Sequence, residues 1–154
     1  EGASATRVRR DDAARRAVVG EQVHLHGVGR QAGDERVGGS DGERVLDAGG
    51  QIFVALDGET PVGVVAAINE GDLGWELAKM AVSPTHQGRG IGEMLGRAAV
   101  EYAWAKGAAR MFLDTNSRLA NAVRLYERLG FRHTDPPQSR PYARSDVYME
   151  IQFG

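Results

Sequence analysis

"WELAKMAVSPTHQGRGIG" runs from Trp75 to Gly92. Its first eight residues form an apolar run with strand character. Its end carries glycine at alternate positions, Gly88, Gly90 and Gly92, with Arg89 and Ile91 between them. A chain accepts that much glycine where it bends sharply or lets something approach its backbone. Beyond the loop, Ile91, Leu95, Ala98, Ala99 and Tyr102 recur at helical spacing, which predicts a helix to about Lys106 with Gly107 as its C-terminal cap. A glycine loop between a strand and a helix aims unpaired N–H groups and the positive end of a helix dipole at one spot, a natural anion site. The same pattern also fits a tight strand-to-helix turn that binds nothing.

Working outward, "QIFVALD" (51–57) and "PVGVVAAIN" (61–69) are apolar runs on either side of "DGET", which predicts an antiparallel hairpin. "NEGDLG" is a second turn leading into the strand at 75–82. Downstream, "ARMFLDT" (109–115) reads as a strand. Leu119, Ala122, Val123, Tyr126 and Leu129 share one face of a second helix, which Gly130 ends. "FRHT" begins a short strand, "DPPQSRPYARS" (135–145) is a proline-broken loop, and "DVYMEIQF" (146–153) is a closing strand. The order of strands and helices predicts an α/β fold with a mixed, mostly antiparallel central sheet flanked by helices. No internal repeat and no second domain is evident, so residues 1–154 are expected to form one domain.

The first fifty residues have a different texture. Every Phe, Tyr, Trp, Ile and Met follows position 50, and the first fifty hold ten glycines and seventeen charged residues. Such a segment buries little apolar area against its ordering entropy. Three readings stay open: a thin irregular cap on the core, a segment completed by a partner chain, or reported residues altered by a frame error. The first is preferred. "ATRVRRDDAARRAVV" suggests a short strand, a cap at Asp11 or Asp12, then a helix from Ala13.

The composition narrows the partners. A net charge of −2 makes no electrostatic case for nucleic acid or an anionic membrane. No cysteine is present, so disulfides and thiolate metal sites are excluded. His24 and His26 form an H-x-H pair with no third ligand nearby, and no metal is expected. No apolar run approaches the roughly 20 residues of a membrane span, and no signal-peptide core opens the chain. A cytoplasmic location is expected, and a homodimer is allowed for.

The glycine loop fits poorly with two common phosphate motifs. A Walker loop needs G-x-x-x-x-G-K-[ST], which is absent. A dinucleotide fingerprint, G-x-G-x-x-G, read from Gly88 finds Glu93 at its third position. Asp114 ends the next strand at a plausible distance, but the antiparallel hairpin upstream argues against that fold. In contrast, Gln87-Gly88-Arg89-Gly90-Ile91-Gly92, following "ELAKMAV" and preceding a helix, resembles the acetyl-CoA loop of the GNAT N-acetyltransferases. "LYERLGF" (125–131) resembles that family's second landmark, in the right order and with a strand between. The resemblance covers roughly residues 51–153.

The resemblance implies transfer of an acetyl group from acetyl-CoA, the cosubstrate, to an amine of a small molecule or a protein. Such a site removes a proton from the amine, stabilises an oxyanion and returns a proton to the leaving thiolate. It implies Glu76 as a base, eleven residues before Gln87, although a glutamate that faces solvent or orients substrate is an equal alternative. It implies Tyr126 as the acid, against a core aromatic with a satisfied hydroxyl. The loop residues Gln87, Gly88, Arg89, Gly90, Ile91 and Gly92 would cradle the pyrophosphate. The backbone of Met80 and Val82 would pair with the pantetheine arm like an added strand. Asn116 would contact CoA or substrate, or else cap the second helix. Many members carry Asn six residues before the Leu of Leu-Tyr, where this chain has Leu119. Asn116 and Asn121 flank that position.

The acceptor amine is poorly specified. Arg140, Tyr142 and Arg144 would suit a substrate carboxylate, or be solvated loop charges. Glu70, Asp72 and Glu76 form a thin acidic cluster for a polyamine. Two further readings remain open: a CoA-binding module without transferase activity and, less favoured, a dinucleotide-binding protein.

Overall fold

The computed structural model describes residues 3–10, 17–25, 45, 48–57, 60–137 and 146–154, the first two stretches as backbone only. Strands β1 (Ala3–Arg10), β2 (Ala17–Leu25), β3 (Gln51–Asp57), β4 (Thr60–Asn69) and β5 (Trp75–Val82) come first. Helix α1 (Ile91–Ala105), β6 (Arg110–Thr115), helix α2 (Ala120–Arg128), β7 (Arg132–His133) and β8 (Val147–Gln152) follow. Among the described residues the strands form one eight-stranded sheet in the order β2-β1-β3-β4-β5-β6-β8-β7. Only the β1–β3 and β5–β6 pairs are parallel. The expected mixed, mostly antiparallel α/β architecture is therefore the observed one.

From Gln51 onward the elements fall where the apolar pattern puts them, because each apolar run supplies one or two buried faces. The core splits into two layers. On one face, Phe53 and Val65, paired across β3 and β4, join Leu77, Met111, Leu113 and Met149 beneath Ile91, Leu95 and Ala99 of α1. On the other, Ile52, Val54, Leu56, Val64 and Ala66 cluster with Val45. Leu95, Met111 and Met149 are fully buried, and each such side chain contributes about 1.5–3 kcal/mol of transfer free energy. Tyr102 of α1 sets its ring edge-on to Phe53 and Trp75, at 5.8 and 6.0 Å. Gly107 and Gly130 close the two helices with φ of +87° and +103°, a conformation glycine adopts without a Cβ penalty.

The first fifty residues require a correction. The helix expected from Ala13 does not exist from Ala17 onward, where the backbone is β2, antiparallel to β1. Residues 11–16 lie outside the described residues. Nor are β1 and β2 an irregular cap, since they extend the sheet beside β3. Alanine and arginine favour a helix locally, but backbone pairing to an open sheet edge outweighs that weak propensity.

Among the described residues no helix is long and apolar enough to cross a membrane.

Candidate functional site

The site begins with a fault in β5. Ala78 pairs with Ala66 and Ala81 with Val64, so three steps along β5 oppose two along β4. The extra residue is a bulge, and Lys79 carries the strain with φ of +60°. Before the bulge, Trp75 and Leu77 face the helices. After it, Met80 and Val82 pack on that same core, while Ala81 turns to the opposite layer. Without the bulge, period-two alternation would give Met80 and Val82 to the other face.

A second irregularity opens the sheet. β5 and β6 pair only at Trp75–Met111 and Glu76–Phe112. Beyond that vertex the strands part and leave an open edge on β5: among the described residues, the β5–β6 ladder stops at Glu76–Phe112. Glu76 sits at the vertex, half-buried, between Ile68 and Phe112 in the ladders. Its side chain shares the face of Ile68, away from α1.

The open edge leads into a cleft of about 730 Å3. One wall is Met80, Ala81 and Val82, continuing through His86, Gln87, Gly88, Gly90, Ile91 and Gly92. The other is α2 and the turn before it, with Arg118, Leu119, Asn121, Ala122, Leu125 and Arg128 among its residues. Gly88 and Gly90 have φ of +78° and +79°, and a Cβ on either would meet nothing within 4 Å. They are thus glycine for conformation, and the space beside them is open. Gly90 is the N-cap of α1, without any side-chain cap. The first N–H groups of α1 therefore have no partner within the helix. Gly92 differs: a Cβ there would lie 3.1 Å from Leu125, so its smallness lets α1 and α2 approach.

The cleft is cationic. Arg118, Arg124 and Arg128 line it beside one carboxylate, Glu93. That carboxylate pairs with Arg97 at 3.0 Å and with Arg128 at 4.0 Å. Arg124 hydrogen-bonds the Asn121 side chain. Gln87 turns back to donate to the Val82 carbonyl at 3.3 Å.

Of the residues singled out in the sequence, Met80, Val82, Gln87, Gly88, Gly90, Ile91 and Gly92 meet on this cleft. Glu76, Arg89, Asn116 and Tyr126 are not in its lining. The Asn116 side-chain oxygen accepts from the Arg118 N–H at 2.9 Å, which shapes the turn before α2, while Asn121 reaches the cleft. Leu119, not Asn116, is the N-cap of α2.

Tyr126 lies one helical turn beyond the cleft residue Ala122. It is 7% exposed, with its ring edge-on to Phe131 at 6.3 Å. Burial raises its phenol above the usual value of 10.0. Among the described residues its hydroxyl makes no hydrogen bond. Arg140, Tyr142 and Arg144 lie outside the described residues, as does His26. Glu70 and Asp72 stand exposed at the β4–β5 turn. Among the described residues no cluster of three His, Asp or Glu could hold a metal ion.

Sequence reasoning missed the Lys79 bulge, the arginines of α2 and His86. The arginines were legible in principle, since Arg124 and Arg128 stand at i, i+4 spacing. The bulge left no sequence signal.

The model of the acetyltransferase (GNAT) family matches residues 21–131, well over half of the chain. A streptothricin acetyltransferase of Streptomyces lavendulae is 34% identical over 99 residues, covering 61% of this chain and 52% of that one. An N-acetylaspartate synthetase of Rattus norvegicus is 42% identical over 79 residues, 51% of this chain and 26% of that one. The chain thus spans about half or less of the length of these relatives. A Bacillus subtilis acetyltransferase solved in complex with CoA superposes with a TM-score of 0.59 at 21% identity, over 72% of this chain and 81% of that one. That likeness is one of fold.

Proposed function

The chain belongs to the acetyltransferase (GNAT) family, and from that premise we propose that it is an N-acetyltransferase moving an acetyl group from acetyl-CoA to a primary amine. The observation that carries this reading is the continuity of the β5 edge, splayed from β6, with the glycine loop and the arginine-bearing wall of α2. An open strand edge suits an amide-bearing arm, which adds to it as a strand would. An uncapped helix N-terminus with open glycine backbone suits a diphosphate. Three arginines on the facing wall suit further phosphate charge. When bound, acetyl-CoA supplies an activated thioester; the rest falls to this chain.

Met80 and Val82 hold the arm through their backbone. Gly88, Gly90 and Ile91 bind phosphate oxygens, and Arg89 adds charge at the loop's rim. Glu76, at the vertex where β5 and β6 part, takes a proton from the amine or orients a water that does. Tyr126 holds a proton on a phenol that burial keeps un-ionised, and its hydroxyl, which makes no hydrogen bond among the described residues, gains a partner when a thiol sulfur lies near. Asn121 lies closer to this work than Asn116, because it lines the cleft.

The names of the relatives offer two acceptors, streptothricin and aspartate. We favour a small-molecule amine over a protein amine.

The test is calorimetric titration of the protein with CoA, followed by thiol release from acetyl-CoA across a panel of amines. Micromolar binding with amine-dependent thiol release is expected. Binding with no release on any amine would favour a CoA-binding module. Absent binding would remove the reading.

A further inference from the structure

His86 stands on the cleft wall immediately before Gln87, and its ring is held at both nitrogens. Nε2 lies 2.8 Å from Asp57 Oδ2, and Nδ1 lies 2.8 Å from Thr85 Oγ1. Thr85 Oγ1 is in turn 3.1 Å from Ser83 Oγ. Polarity follows from the ends. A carboxylate only accepts, so Nε2–H donates to Asp57. In the neutral ring Nδ1 then accepts from the Thr85 hydroxyl, which accepts from Ser83. Every member is satisfied in one direction.

The chain of bonds joins two elements distant in sequence. Asp57 is the last residue of β3, while Ser83, Thr85 and His86 lie between β5 and the glycines. The same segment is tied by backbone bonds from Ser83 N–H to Val62 O at 2.8 Å and from His86 N–H to Ser83 O at 2.9 Å. Gly88 and Gly90, which follow, have positive φ and open surroundings, and without side chains they make no packing contact that would fix them. A glycine loop loses more conformational freedom on ordering than any other, and a ligand that must order it binds more weakly.

We propose that Asp57 and His86 are positioning residues: their bond, continued through Thr85 and Ser83, latches the entry of the glycine loop to the β3–β4 hairpin and preorganises it for phosphate. The latch rests on the phosphate-binding reading above. Asp57 is 66% exposed and the His86 side chain 19%, so the effect is modest, about fivefold in affinity, near the upper end for a solvent-facing pair.

The experiment uses the full chain. Asp57→Ala is expected to weaken CoA binding about fivefold by calorimetry. Asp57→Asn, whose side-chain oxygen still accepts from Nε2–H, is expected to restore it to within twofold. Amide hydrogen exchange of the unliganded protein over residues 83–92 is expected to speed up in Asp57→Ala and not in Asp57→Asn. Wild-type affinity and exchange in Asp57→Ala would overturn the latch. Equal weakening in both variants would also overturn it, by assigning the effect to charge. Wild-type protein that binds no CoA would instead refute the function, and hydrogen exchange would still decide the latch.

Discussion

Replacing Tyr126 by phenylalanine separates a catalytic hydroxyl from a packing one, because the two roles predict different signatures. The ring is in the core against Phe131, and Tyr126→Phe leaves that contact in place. Its hydroxyl is buried with no hydrogen bond among the described residues. A buried polar group left unsatisfied costs about 1–3 kcal/mol. Removing it should therefore leave the unliganded protein equally stable or about 1 kcal/mol more stable, a Tm rise of roughly 2–4 °C for a chain of this size. If the hydroxyl donates to the leaving thiolate, the same change should lower kcat at least about tenfold, or roughly 1.4 kcal/mol of transition-state stabilisation. The KM for acetyl-CoA should stay within about twofold. Thermal melts and steady-state thiol release measure both. An unchanged kcat would refute the acid assignment. A Tm falling by several degrees alongside kcat would assign the hydroxyl to structure. The pH dependence carries a sign as well. Burial raises the folded-state phenol above 10.0, so this group's contribution to stability is full below about pH 10 and is lost as pH climbs through the raised folded value.

Gly90→Val forces a β-branched residue to φ of +79°, costs about 1–2 kcal/mol of backbone strain and fills the open space beside the loop. Loss of acetyl-CoA binding by calorimetry is expected in a protein that still folds, and wild-type affinity would mean the diphosphate sits elsewhere. Glu76→Gln should flatten the acidic limb of the pH–rate profile, and a limb that persists unchanged would remove Glu76 as the base. Ser117 donates to Asp146 from both its hydroxyl and its backbone N–H and holds that carboxyl below its ordinary 3.8. The resulting stability is present above that value and lost as pH falls through the lowered one, so Ser117→Ala should melt less steeply with acid than the wild type. Parallel acid melts would show that the bond contributes nothing.

From Gln51 to the C terminus, the sequence by itself determined which elements form and in what order. Compact apolar runs bounded by turn residues specify strands, and Leu95, Ala99 and Tyr102 at helical spacing specify a helix, because these patterns depend only on neighbours a few residues apart. Glycine at 88 and 90 was legible as a backbone requirement for the same reason. Gly92 was legible only as a glycine. That it also makes room for Leu125 depends on how closely α1 and α2 pack. In the first fifty residues the helix expected from Ala13 gives way at Ala17 to β2, where pairing with the neighbouring strand β1 outweighs helical propensity. The site's decisive features are likewise tertiary. The bulge at Lys79 arises from a register mismatch with β4, and the open edge arises because β6 pairs with β5 at only two positions. The Asp57–His86 bond spans 29 residues. The chain alone fixes local conformation, but register, strand divergence and contacts between distant segments are settled only when the whole sheet is packed against its helices.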